Sequence, residues 1–247
     1  MVSRSLACVV IVACSSAGAM VTPADAETRA AVELFTSQGC SSCPPADNLI
    51  GELAGDPTLV AISLPIDYWD YLGWKDTLAD PHHSARQKGY SKVRGDREVY
   101  TPQVVVNGSV HALGSDRSAI ERAIAQSRQN PATLSVPVTL SVRDGRLVIS
   151  VPESADIRTG AEVWVWGLTK AITVAIKRGE NSGKTITYHN VARQSVKLDA
   201  WSGKANTWTV PLKDLNVEGI DRAAVMVQAG TAEKPGTVLG AAIAAIR

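Results

Sequence analysis

No apolar stretch in these 247 residues approaches the roughly 20 that carry a helix across a bilayer. No block of Lys and Arg is dense enough to mark a nucleic-acid or anionic-membrane surface, and the net charge is only +1. Repeats and low-complexity tracts are missing too. Cysteine is scarce, with four in the whole chain, too few for the bridged framework of a disulfide-built secreted domain. What remains, at 45% apolar residues, is the composition of a soluble globular protein long enough for one large domain or two modest ones.

Residues 1–26 read differently from the rest. Arg4 precedes the apolar run Leu6 to Ala13, and small residues then lead to Ala24-Asp25-Ala26, the pattern of a secretory signal peptide. Ile11-Val12-Ala13-Cys14 also resembles a lipobox, which would make Cys14 the acylated first residue of an anchored lipoprotein. The short stretch before it and the well-formed Ala-Asp-Ala site favour the signal peptide, and with it a periplasmic or secreted protein without a transmembrane segment. Export would remove Cys8 and Cys14 and leave Cys40 and Cys43. In an oxidising compartment a pair kept three residues apart points to chemistry more than to architecture.

After the leader, the patterning divides near Asn130-Pro131 into a mixed part, residues 27–131, and a β-rich part, residues 132–247. In the first, a strand over 31–35, a helix over about 42–53 and an apolar strand over 59–64 form a βαβ opening. Asp80-Pro81 starts a second helix, because Asp caps and Pro fits the first turn. Strands over 103–106 and 110–113 flank the hairpin dipeptide Asn107-Gly108. Ser115 and Asp116 open a third helix with Ile120, Ala123 and Ile124 on one face, and Ser118 with Glu121 offers an inner capping box. The second part alternates apolar and polar residues about Asp144-Gly145 and continues in short strands around Val163–Val165, Ile172–Ile176, Thr185–Tyr188, Trp208–Val210, Ala223–Val227 and Val238–Ile243. That pattern predicts a small antiparallel sandwich, with residues 241–246 alternatively a helical end.

Cys40-Ser41-Ser42-Cys43 falls where a strand ends and a helix begins, where unpaired N–H groups and a partial positive charge stabilise a thiolate. Cys40 is read as the nucleophile and Cys43, a turn further on, as the resolving thiol, with the helix cap at Ser41 or Ser42. The order β-α-β-α-β-β-α, with the pair after the first strand and Pro102 before the third, is the thioredoxin-like pattern. In that pattern Thr101-Pro102 is cis and faces the cysteines. Glu33, seven residues before Cys40, lies within one residue of where thioredoxins keep a buried carboxylate, and is either such a base or a polar position on a half-buried strand. Trp69, Tyr71 and Trp74 offer contact area beside the cysteines or ordinary core. Trp164 and Trp166, two residues apart on a strand, share a face. Two thiolates are also half of a metal site, with His82, His83, His111 and His189 as candidate partners.

The segments Phe35 to Asp47, Asp67 to Trp74 and Tyr100 to Gln103 resemble those of secreted bacterial proteins of the domain-of-unknown-function 1223 family. The resemblance covers most of the mature chain and implies a thioredoxin-like fold but no reaction. It departs from thioredoxin proper in lacking a Trp before Cys40, in its Ser-Ser dipeptide, in the two prolines that follow and in the added second part. The expected architecture is therefore an α/β thioredoxin-like domain followed by a mainly antiparallel β domain. The expected function is thiol–disulfide exchange through Cys40 and Cys43 on a protein thiol or disulfide, with catalytic Pro102 and Glu33, substrate contacts at Thr101, Trp69, Tyr71 and Trp74, and no cofactor. A peptide-binding module with a static disulfide and a copper or zinc chaperone are the alternatives.

Overall fold

A computed structural model of the protein describes residues 27–155, 160–215 and 218–247. The signal-peptide and lipobox readings concern residues outside that range.

The first strand, β1 (Ala30–Thr36), is buried along its whole length and pairs in parallel with β2 (Leu59–Pro65). Its side chains alternate between two cores. Val32 and Leu34 face α1 (Pro44–Leu53) and α3 (Arg117–Ser127), whereas Ala31 and Phe35 face a second core on the other side of the sheet. The helix α2 (Pro81–Arg94) starts as its sequence requires, with the Asp80 carboxylate accepting from the His82 N–H at 2.8 Å and Pro81 in the first turn. Asp116 caps α3 by accepting from Ala119 N–H at 2.9 Å, and Ile120, Ala123 and Ile124 are buried. Ser118 lies inside that helix and starts nothing.

Between α2 and α3 run β3 (Gln103–Val106) and β4 (Val110–Leu113), joined through Asn107 and Gly108, whose φ angles of 48° and 71° suit a tight hairpin. That turn also docks on the distant end of the chain: Val238 N–H donates to Asn107 C=O at 3.0 Å, and a Cβ on Gly108 would stand 2.1 Å from the Gly236 carbonyl oxygen. Gly108→Ala is therefore expected to cost about 2 kcal/mol or more in urea unfolding, from positive φ and collision together. A loss under about 0.5 kcal/mol would mean the contact yields freely.

The second half overturns the expected fold class. Instead of a thioredoxin-like α/β domain followed by a sandwich, the protein is mainly β, 43% strand against 19% helix. One mixed eight-stranded sheet runs through both halves in the order β11-β10-β7-β8-β2-β1-β3-β4, and β5-β6-β9 form a second sheet of three. The strands are β5 (Thr139–Arg143), β6 (Arg146–Val151), β7 (Ala161–Ala175), β8 (Thr185–Trp201), β9 (Asn206–Pro211), β10 (Arg222–Thr231) and β11 (Lys234–Ala245). Residues 241–245 are thus strand, not helix.

Two physical reasons account for the difference. The run at 163–165 and all but the last residue of that at 172–176 belong to one 15-residue strand, because Gly167 between them is a register shift against which Ile220 packs, not a turn. And β2 has a second neighbour: Ser63 pairs with Val191, Ser63 Oγ donates to His189 C=O at 2.8 Å, and Asn190 Nδ2 to Ala61 C=O at 2.8 Å. The core beneath this seam draws Phe35, Ile62 and Tyr90 from one half and Trp166, Met226 and Val238 from the other.

Candidate functional site

Cys40 and Cys43 are joined as a disulfide, their Cα atoms 5.4 Å apart, at the entrance of α1. Helix geometry begins one residue later than the serines suggest. The cap is Cys43 itself, whose carbonyl accepts from the Ala46 and Asp47 N–H groups, and Pro44 and Pro45 take the first turn, where no amide hydrogen is missed. Cys43 is fully buried and Cys40 is 5% exposed. Ser41 and Ser42 are exposed.

Five of the predicted neighbours gather here. The Ser42 hydroxyl lies 3.5 Å from the Thr101 carbonyl, and the Thr101–Pro102 peptide bond is cis. Trp69 donates its indole N–H to Thr101 Oγ1 at 2.7 Å and carries Tyr71, 75% exposed, against its ring at 6.0 Å. Trp74 sits on the other flank, donating to Gln38 Oε1 at 2.8 Å and packing on a small core of Leu78, Ile176, Ile186, Tyr188 and Val191.

Glu33 is not among them. It occupies the β1 face turned away from α1, where Arg86 Nε and Nη2 donate to its two oxygens at 2.6 and 3.2 Å and Tyr90 OH donates to Oε2. Arg86 also donates to Gln228 Oε1 at 2.8 Å and lies over the rings of Tyr90 and Trp166. Burial opposes the Arg86 charge, but the Glu33 carboxylate outweighs it and holds the guanidinium pKa above its ordinary value. This is a buried joint between the halves of the chain.

The carboxyl behind the cysteines is Asp47, one helical turn beyond Cys43 and on the same face of α1. It is buried, accepts from Thr36 Oγ1 at 2.7 Å, and its second oxygen has no partner among the described residues. Burial pushes its pKa up to about 8, with the Thr36 hydrogen bond working against the rise and nearby Asp76 adding to it. Asp76 is itself raised to about 6 by burial, although the Gln38 and Leu78 amides donate to it. Tyr188, raised further by burial and by these two carboxyls, also lacks a partner for its hydroxyl among the described residues. The signal for Asp47 lies in the sequence: a charged residue four positions after Cys43 on an otherwise apolar helix face.

The histidines scatter. His82 is exposed beside Asp80, His83 is buried on the Pro65 carbonyl, His111 bonds Tyr100, and His189 packs its ring on Gly51 of α1. No group of three or more His, Cys, Asp or Glu side chains that could hold a metal ion is found among the described residues, and no helix there is long and apolar enough to cross a membrane. Trp164 and Trp166 do share a face, ring centroids 6.4 Å apart, near the start of β7.

The family described as protein of unknown function, DUF1223, matches residues 31–228. A crystallographically solved protein of Agrobacterium tumefaciens is similar at 31% identity and a TM-score of 0.78, over 89% of this chain and 95% of that one. No curated protein matches.

Proposed function

The chain belongs to the DUF1223 family, whose description assigns no activity, and we propose from its own geometry that it is a thiol–disulfide oxidoreductase acting on protein thiols or disulfides through Cys40 and Cys43. The observation that carries this reading is the pairing of a closed disulfide at a helix entrance with a buried, proton-holding carboxyl one turn beneath it. A purely structural bridge has no use for a buried acid with one oxygen left unpartnered, which costs stability.

In the reduced protein a Cys40 thiolate attacks one sulfur of a substrate disulfide, forms a mixed disulfide and expels the first substrate thiolate. In the fraction of molecules whose Asp47 is ionised, a fraction that grows as pH rises toward about 8, Cys43 then gives its proton to that carboxylate and, as thiolate, attacks Cys40 Sγ. The intramolecular disulfide forms, the second substrate thiolate leaves, and two electrons have passed to the substrate. In the reverse direction Asp47 returns the proton to departing Cys43. Thr101, Trp69 and exposed Tyr71 border the side from which a peptide would approach. The leader-like residues 1–26 support a periplasmic or secreted setting, where such exchange has substrates.

The test is the Cys40–Cys43 equilibrium in glutathione buffers, followed by alkylation and mass, with Cys43→Ala to hold the mixed disulfide. A reversible two-electron transition between about −270 and −120 mV, with a partner held on Cys40, is expected. A pair that stays oxidised throughout and holds nothing would leave the static-disulfide binding module as the better account.

A further inference from the structure

The hairpin between β7 and β8 ends on the cysteine turn. Its tip, residues 176–184, is anchored by Ile176 in the core shared with Leu78 and Tyr188, and Gly179 lies so close to Trp74 that an added Cβ would stand 3.1 Å from the Trp74 Cβ. From this base two side chains reach the active turn. Asn181, 1% exposed, donates both hydrogens of its carboxamide, to the Gln38 carbonyl at 3.0 Å and the Cys40 carbonyl at 2.8 Å, while its oxygen accepts from Lys184 Nζ at 2.8 Å. Glu180 Oε2 accepts from the Ser41 N–H at 3.2 Å.

These contacts bear on the sulfur chemistry differently. The Ser41 amide is the first N–H after Cys40, one of the dipoles available to a thiolate formed there. A carboxylate already sits on it. Glu180 therefore takes a donor from the thiolate and sets a like charge beside it, which disfavours the ionised sulfur. Asn181 carries no charge. By tying two carbonyls that flank Gly39, it fixes the backbone from which the Cys40 side chain springs, and so the ease with which Cys40 and Cys43 close.

We propose that Glu180 and Asn181 are positioning residues of the redox site, Glu180 restraining the reactivity of Cys40 and Asn181 holding its backbone ready for ring closure. The second half of the chain thus completes the site that the first half begins. The inference builds on the oxidoreductase reading but is measured without any substrate.

The full chain, reduced with a phosphine, is alkylated with iodoacetamide from pH 5 to 9, and the rate at Cys40 is resolved by mass. Glu180→Gln should move the midpoint of the profile down by about 0.5 to 1 in pH, raising the rate at pH 6 about three- to tenfold. The gain should shrink in 1 M salt, since the carboxylate is exposed. Glu153→Gln, the same charge change at an exposed residue away from the turn, should leave the midpoint in place. Asn181→Asp keeps the size of the side chain and loses both donated hydrogens. It should lower the equilibrium constant for closing the disulfide about fivefold or more, with unfolding midpoints measured alongside. Matching midpoints for Glu180→Gln and Glu153→Gln, or wild-type closure in Asn181→Asp, would overturn the proposal. Failure of the wild-type pair to exchange with thiols would instead sink the oxidoreductase reading and leave the alkylation result standing.

Discussion

Arg86→Met should destabilise the protein by about 3–5 kcal/mol in urea unfolding. The guanidinium gives Glu33 two hydrogen bonds and reaches Gln228 from the same nitrogen that bonds Glu33 Oε2. Methionine fills much of the space and removes every one of those donors. Glu33, fully buried, must then keep a charge in an apolar site or take up a proton to lose it. Removing both partners is a different matter, since an apolar pair of similar volume leaves no orphan. Glu33→Leu with Arg86→Met is therefore expected to recover most of the loss, and a double variant as unstable as the single one would show that packing, not the charge, carries the joint. Cysteine exchange supplies the contrast. Glu33→Gln should leave its rate unchanged, because the carboxylate lies on the sheet face opposite α1.

Asp47→Asn should do the reverse and change both the exchange rate and the pH dependence of stability. In the folded protein Asp47 holds its proton up to about pH 8, whereas in the unfolded chain it ionises near the ordinary 3.8. Folding then takes up a proton between those values. The contribution of this position to stability falls as pH rises from about 4 to about 8 and is level beyond. So wide a gap between folded and unfolded ionisation corresponds to a free energy on the order of 5 kcal/mol. Asparagine does not titrate, so the stability difference should widen in favour of the variant across that window, read from urea curves at pH 5 and pH 8.5. Parallel curves would place the Asp47 pKa near its ordinary value and remove it as a proton store. In the chemistry, loss of the acceptor should slow release of a mixed disulfide by Cys43 about 100-fold, visible as its accumulation on Cys40.

What could be read in the sequence was local. The caps at Asp80 and Asp116, the Asn107-Gly108 turn and the strand-to-helix passage carrying Cys40 and Cys43 each depend on a few adjacent residues, and each stands where the residues put it. Small local readings slipped too, the α1 cap by one residue and the inner box at Ser118, but the two larger misplacements depend on partners far away in the chain. Counting back from Cys40 selects Glu33 as the nearest carboxylate in β1, but the face of a strand is decided by parity. Thr36, three positions on, points to α1 and so fixes Glu33 on the opposite side. The helix period selects Asp47 instead. The short runs of the second half show alternation and nothing of their partners, so they suit a sandwich as well as an extension of the first sheet. What decides between them is the Ser63–Val191 pairing, which no local pattern encodes.

The hold of Asn181 on Cys40 spans 141 positions, and this separation has a consequence in time. Contacts of such range close late, after the loop entropy between them has been overcome. A chain emerging N-terminus first would present its cysteines long before residues 176–184 exist to meet them. Through that interval the pair is an ordinary dithiol, open to any oxidant or foreign thiol, and the tuning proposed for Glu180 and Asn181 could begin only when the long hairpin folds back. On that proposal the cysteines take on their final reactivity in a late step of maturation, so that a chain cut before β8 would carry both and is expected to alkylate unlike the finished molecule.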